Sequence, residues 1–124
     1  MSRLRRLICC DLAAAALLCA GISAAQAAGA FAIGACGAYG FAYDYQQAEA
    51  AKNAAQEKCS GSCEVVPVHK ACAAFAIDGT NACGAYGYAT RPRLGAAQNT
   101  ALQQCYQFGG RECVIRAWIC DAKD

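Results

Sequence analysis

Cysteine is the residue with the greatest capacity for chemistry in this chain of 124 residues, where it occurs eleven times beside a single histidine. Three of the cysteines lie near the N-terminus, in a segment with the form of an export signal. The other eight are an even set, which predicts four disulfides in an oxidising compartment. An even set also leaves no unpaired thiol for catalysis. The eight are Cys36, Cys59, Cys63, Cys72, Cys83, Cys105, Cys113 and Cys120.

A zinc site is the main alternative use of these cysteines. Cys59, Cys63, His69 and Cys72 have the residue types of a four-ligand site. The second half of the chain repeats the cysteines, but it has no histidine in the matching stretch 114–119. Disulfides account for the cysteines of both halves, whereas a zinc site accounts for those of the first half only. The sequence therefore predicts no metal and no cofactor.

Hydrolytic chemistry has weak support. Ser60 and Ser62 could combine with His69 and either Asp44 or Asp78, but no nucleophile-elbow motif surrounds the serines. A catalytic pair of carboxylates, as in glycosidases, also stays open, although the four glutamates concerned have helix or strand-edge positions that are typical of solvent-exposed side chains. They are Glu49, Glu57, Glu64 and Glu112. Whether the protein is an enzyme is therefore left open, with the balance against it.

A set of aromatic residues is the strongest candidate for binding. Its members are Tyr39, Phe41, Tyr43, Tyr86 and Tyr88, which Phe31, Phe75 and Trp118 could join. One interpretation makes them core, packed against alanine-rich helices. The other makes them an open sheet face that binds a sugar ring, a peptide or a protein, since tyrosine is enriched at such surfaces.

Residues 1–27 predict a secretory signal peptide. A basic start precedes an apolar run at 7–22, which Asp11 interrupts, and Ala25-Gln26-Ala27 has the small residues of a cleavage site. The run is too short for a spanning helix, so no stable membrane insertion is expected. Residues 28–124 then form a single exported domain, periplasmic or secreted. That domain has eight basic and eight acidic residues, which argues against nucleic acid as a partner.

An internal repeat organises the exported part. Residues 36–42 recur as 83–89 with one Phe/Tyr exchange, and residues 30–33 recur as 74–77. The later cysteines follow in the same order in both copies. The pattern predicts a pseudo-symmetric domain with one repeat at about 30–72 and a second at about 73–120.

Periodicity within each copy predicts strand, strand, helix, strand. Residues 31–43 alternate large and small, as strands do. An alanine-rich stretch from 46 to 58 has the spacing of a helix, as has its counterpart from 94 to 105, with Asp44 and Thr90 as N-cap types. One face of each helix carries a stripe with intervals of three and four, which are Ala48, Ala51, Ala55 and Cys59 in the first copy and Leu94, Ala97, Ala101 and Cys105 in the second. The fold class is α+β, with about six mainly antiparallel strands. Both helices are expected on one face of the sheet, with bulky residues opposite their alanines.

Approximate symmetry favours one disulfide pairing out of many. The order of elements places Cys36, Cys59 and Cys63 at one end of the first copy and Cys72 at the other. Eight cysteines allow about 105 pairings. The favoured set is Cys59–Cys63, Cys105–Cys113, Cys36–Cys83 and Cys72–Cys120, with the last two pairs connecting the copies.

The doubled Gly-Ala-Tyr-Gly-[Phe/Tyr]-Ala block, the alanine-rich helix ending in cysteine and the Cys-x-Val-Val segment resemble a known bacterial family. It is the domain-of-unknown-function 4189 family of small exported proteins, and the resemblance covers residues 30–120. It implies export and no particular activity. We therefore expect an exported, disulfide-stabilised binding or inhibitor-like module whose partner is an unknown protein or envelope polymer. A small envelope hydrolase and a structural envelope protein are the alternatives.

Overall fold

The computed structural model describes residues 28–121, so the predicted leader and its cysteines lie outside the described residues. This part of the chain contains six strands, two α-helices and one 3₁₀ turn. The elements are β1 (Ala28–Ile33), the 3₁₀ turn (Ala35–Gly37), β2 (Tyr39–Tyr45), α1 (Ala48–Lys58), β3 (Glu64–Val68), β4 (Ala71–Asp78), β5 (Asn81–Arg91), α2 (Leu94–Gln107) and β6 (Cys113–Asp121).

The strands form two antiparallel sheets of three strands each, where one sheet was expected. The first sheet has the order β2-β1-β3 and the second has the order β5-β4-β6. In each sheet the first strand of the half lies in the centre, between the two strands that follow it in the chain. The α+β class and the antiparallel pairing agree with the sequence analysis.

The two sheets pack face to face, and the helices lie outside them. Buried side chains from both sheets form one core layer, in which Phe31 and Phe75 are the largest. Helix α1 packs on the other face of the first sheet and α2 on the other face of the second. The expectation of both helices on one face is therefore wrong. Each sheet has one face of large side chains, and burying that face against its counterpart removes more apolar area from water.

The helix–sheet contacts join small residues to small residues, so the expectation of bulky residues opposite the alanines is also wrong. Ala51 and Ala55 of α1 pack against alanines of the first sheet. A Cβ at Gly40 would collide with the carbonyl oxygen of Ala55, and one at Gly87 with that of Ala101. These glycines permit a close approach between each helix and the strand beneath it.

The predicted N-caps are wrong for both helices, although α2 begins at Leu94 as predicted and α1 begins at Ala48, two residues later than predicted. Asp44 and Thr90 lie in β2 and β5 instead of capping the helices. Gln47 and Arg93 occupy the N-cap positions, and neither forms a side-chain capping hydrogen bond. The reason is the sheet: β2 remains paired with β1 as far as Tyr45, so the chain is still extended at the predicted cap. Neither helix of the described residues is long and apolar enough to cross a bilayer.

The eight cysteines form four disulfides, the same pairs that the sequence analysis favours. They are Cys36–Cys83, Cys59–Cys63, Cys72–Cys120 and Cys105–Cys113. Cys36–Cys83 links the β1–β2 turn to β5 and so connects the two sheets. Cys72–Cys120 was expected to do the same, but these residues are register partners on β4 and β6 of the second sheet. Cys72 lies in β4 and therefore belongs to the second sheet, although the predicted repeat boundary places it in the first copy.

Candidate functional site

Three of the predicted binding residues form a row of stacked rings along β2. The ring centroids of Tyr39 and Phe41 lie 6.2 Å apart, those of Phe41 and Tyr43 lie 6.3 Å apart, and the interplanar angles are 7° and 22°. Phe31 extends the stack into the core, 6.4 Å from Tyr39. We call Tyr39, Phe41 and Tyr43 the β2 aromatic row. It belongs partly to the core and partly to the surface, because exposure reaches 56% only at Tyr43.

Arg116 covers the inner end of the β2 aromatic row. Its guanidinium carbon lies 5.3 Å from the centroid of the Tyr39 ring, and its Nε donates a 3.2 Å hydrogen bond to the Gly37 carbonyl. The pairing of β6 with β4 shifts register beside Arg116, which directs this side chain towards β2. A cation–π contact of this kind contributes about 0.5–1 kcal/mol at an exposed site. The side chain of Arg116 therefore occupies the place that a ligand would take at this end of the β2 aromatic row.

The two remaining candidates, Tyr86 and Tyr88, lie on β5. Tyr86 makes an edge contact with Phe75, with centroids 6.2 Å apart and an interplanar angle of 72°, and 48% of Tyr86 stays exposed. Tyr88 is half-buried at the margin of the core between the sheets. Across the interface between the sheets, β5 lies near β3 and β2 lies near β6. The five candidates thus form two groups at opposite edges of the sandwich, and no single face unites them.

An open groove of about 810 Å³ runs along β5, which is an edge strand of the second sheet. Residues 84–88 of the strand line it, and the end of α2 adds Gln104, Gln107 and Phe108. Glu64, at the start of β3, contributes from the first sheet. We call this feature the β5 groove. It brings the aromatic pair Tyr86 and Tyr88 together with polar side chains from both halves of the molecule.

Hydrogen bonds hold the polar groups of the β5 groove in place. The Tyr88 hydroxyl donates to Glu64 Oε1 at 3.0 Å, and the Tyr88 backbone N–H donates to Gln104 Oε1 at 3.1 Å. The bond to Glu64 raises the pKa of Tyr88, and burial and the negative charge of Glu64 add to the effect. Among the described residues that line the groove, Glu64 is the one charged side chain. The groove is therefore preorganised and weakly acidic.

Sequence reasoning missed the wall that α2 provides. Phe108 follows Cys105 by three positions, a spacing that continues the predicted buried stripe. The helix ends at Gln107, before this residue, and Gly109 turns the chain with a φ of 100°. Phe108 is therefore 73% exposed beside the groove. The pair Gly109-Gly110 was the sequence signal that could have predicted the end of the helix before Phe108, because glycine is common just after the last helical residues.

The residues considered for a zinc site do not come together as one. Cys59 and Cys63 bond to each other and Cys72 bonds to Cys120, so three of the four candidate zinc ligands are engaged in disulfides. His69 is exposed in the turn before β4. Among residues 28–121 no group of three or more potential ligands converges.

Asp78, one of the carboxylates considered for catalysis, joins two loops. Its Oδ1 accepts hydrogen bonds from the hydroxyl and backbone N–H of Thr80, at 2.7 and 2.9 Å, and from the Glu112 N–H at 3.4 Å. Its Oδ2 accepts from the Arg111 N–H at 3.2 Å. These donors, above all the Thr80 hydroxyl, lower the pKa of Asp78 to about 2. Such a carboxylate is an anchor for the β4–β5 turn and the α2–β6 loop.

Fold and groove define a small disulfide-bonded α+β domain with an open groove at the edge of one sheet. The chain belongs to the family described as Domain of unknown function (DUF4189), which matches residues 28–120. No curated protein and no solved structure matches the chain significantly.

Proposed function

We propose that this protein is an exported, non-enzymatic binding domain that captures a protein or an envelope polymer through the β5 groove, in the periplasm or outside the cell. The observation that carries the proposal is the exposure of two large rings, Tyr86 and Phe108, on opposite sides of a preorganised groove. Rings of this kind dominate the affinity of protein interfaces, because they bury much apolar area at low entropic cost.

Export is supported by the signal-like segment 1–27 and by four disulfides in the domain that follows. Disulfides of this density persist in oxidising compartments. On this proposal the mature protein is the single domain 28–124, which arose by duplication of one unit. The equal strand orders of the two sheets support the duplication.

The chemistry of the β5 groove favours a neutral or basic partner. It offers the Glu64 carboxylate and the amides of Gln104 and Gln107, and no cationic side chain of the described residues lines it. A polyanion would meet the Glu64 charge without a compensating cation. A polypeptide segment or a neutral polymer would find both ring faces and hydrogen-bonding groups.

A crosslinking experiment tests this proposal. A photoreactive residue at Gln107 captures partners from the envelope fraction, and the affinity of the identified partner is then titrated with the oxidised protein. Tyr86→Ser and Phe108→Ser should each weaken binding roughly 30-fold, as interface hot spots do. Tyr106→Ser is the matched control, because Tyr106 is 51% exposed on α2 but does not line the groove.

Equal losses in all three variants would contradict the groove as the binding site. Tyr43→Ser tests the other aromatic group in the same assay, since Tyr43 is the exposed end of the β2 aromatic row. If Tyr43→Ser abolishes capture while the groove variants bind normally, the binding surface is the β2 aromatic row. Thermal melts of each variant show whether it is folded.

A further inference from the structure

The side chain of Asp121 is buried at the end of β6, and its carboxylate oxygen Oδ2 has no hydrogen-bond donor. The residue is 3% exposed, and Oδ2 is the one buried side-chain oxygen or nitrogen of the described residues that lacks a hydrogen-bond partner. Buried polar atoms are nearly always satisfied, and a buried carboxylate without a donor is strongly unfavourable. The functional form of the protein therefore needs a donor at this position.

Asp121 Oδ2 lies beside Gly29, near the start of β1. A Cβ built on Gly29 would lie 2.9 Å from this oxygen. The carbonyl oxygens of Val68 and Ala42 lie 3.0 and 3.1 Å from the same point. Three acceptor oxygens therefore lie beside Gly29, and a negatively charged carboxylate among acceptors favours a positively charged donor over a neutral one. The residue next to Gly29 is Ala28, the first residue that follows the predicted cleavage site.

We propose that Asp121 is a binding site for the α-ammonium group that removal of the leader creates at Ala28. The inference rests on the proposed export and on cleavage after Ala27. Hydrolysis of the Ala27–Ala28 peptide bond consumes one water, leaves the new carboxylate on the departing leader and leaves the amine on Ala28. Most of this amine is protonated at neutral pH. The precursor has one amide N–H at this position, whereas the mature chain has three N–H donors and a positive charge.

The pairing connects the two sheets at the end opposite to the disulfide. Cys36–Cys83 joins the sheets beyond the C-terminal end of β1. The Ala28–Asp121 contact joins its N-terminal end to β6 of the second sheet. A charge-assisted hydrogen bond of this kind is stronger than one between neutral groups. Export thus completes the packing of β1, because processing supplies the missing donor.

A double-mutant cycle on the exported, processed protein tests the pairing. The full chain is expressed with its leader, and mass spectrometry identifies the first residue of the product. Selective transamination then converts the α-amine to a carbonyl and leaves the lysines intact. This treatment should lower the Tm by about 5 °C or more in the native protein and by about 1 °C or less in Asp121→Asn. Glu112→Gln, which alters an exposed carboxylate before the start of β6, should respond like the native protein.

The α-amine pKa in the native protein provides a second measurement, which stays informative if Asp121→Asn fails to fold. NMR titration should show it raised by about one unit, because a nearby negative charge favours the ammonium form. A first residue other than Ala28 contradicts the cleavage position and with it the pairing. A chain that begins at Ala28 with an unshifted pKa, or with equal losses in native and Asp121→Asn proteins, contradicts the pairing alone and leaves export intact.

Discussion

The close contact between β5 and α2 makes Gly87→Ala a sharp test of the packing. A Cβ at Gly87 would collide with the Ala101 carbonyl oxygen and would lie 2.7 Å from both the Cys105 nitrogen and Gln104 Cβ. Two of these three atoms belong to the helix backbone, which cannot rotate away as a side chain can. The helix must therefore retreat from the sheet by about 1 Å. This movement opens the contact of Ala97 and Ala101 with the sheet alanines Ala74 and Ala76, which we call the alanine seam.

The expected cost of Gly87→Ala is about 3 kcal/mol in the free energy of unfolding, at the upper end of the range for overpacking in a core. Replacing glycine by alanine also stiffens the unfolded chain, which returns about 0.5 kcal/mol. A net loss of about 2.5 kcal/mol corresponds to a fall in Tm of roughly 10–20 °C for a domain of this size. Gly95→Ala is the matched control, because a Cβ there meets no atom within 4 Å.

Thermal melts followed by circular dichroism, with the disulfides intact, measure both variants. Gly95 lies in α2, so its replacement should raise the Tm by a few degrees, in line with about 0.5–1 kcal/mol of helix propensity. If Gly87→Ala melted within about 3 °C of Gly95→Ala, the helix would not lie as close to the sheet as described, and the account of the alanine seam would be refuted.

Two further predictions concern the links between elements. Replacing both Cys36 and Cys83 by serine should cost about 3–4 kcal/mol in guanidinium unfolding, because this disulfide closes a long loop. The Cys59–Cys63 pair spans four positions and should cost less when replaced; the reverse order would contradict the loop-entropy explanation. Asp78 has a folded pKa of about 2, below its value in the unfolded chain, so its contribution is present above about pH 4 and is lost as the pH falls towards 2. Asp78→Asn should lower the Tm at pH 6 and flatten its decline between pH 4 and 2; parallel Tm curves for the two proteins would show that Asp78 has no such role.

Local patterns predicted the elements of this fold well. Alternation of large and small residues identified the strands, and the spacing of Ala51 and Ala55, and of Ala97 and Ala101, identified the buried faces of the helices. The N-caps were predicted wrongly at Asp44, because the pairing of β2 with β1 continues past that residue. A cap is a local preference of about 1 kcal/mol, and continued sheet pairing outweighs it.

The candidate site was less predictable, because it depends on which faces meet. The aromatic residues were identified, but their division between β2 and β5 follows from the two-sheet arrangement. Glu64 had no visible connection with Tyr88, since 24 positions separate them in the chain. Phe108 continued the spacing of a buried stripe, and only the end of α2 places it on the surface.

The sequence by itself determined the strand and helix types, the family, and an even set of cysteines that suits export. These properties depend on the order and spacing of neighbouring residues, which the chain carries in any conformation. The tertiary structure alone decided that the large faces of two sheets bury each other, that a groove opens along β5, and that Oδ2 of Asp121 lacks a donor. Periodicity shows which face of a strand or helix must be buried, but long-range packing of the whole chain determines which surface covers that face.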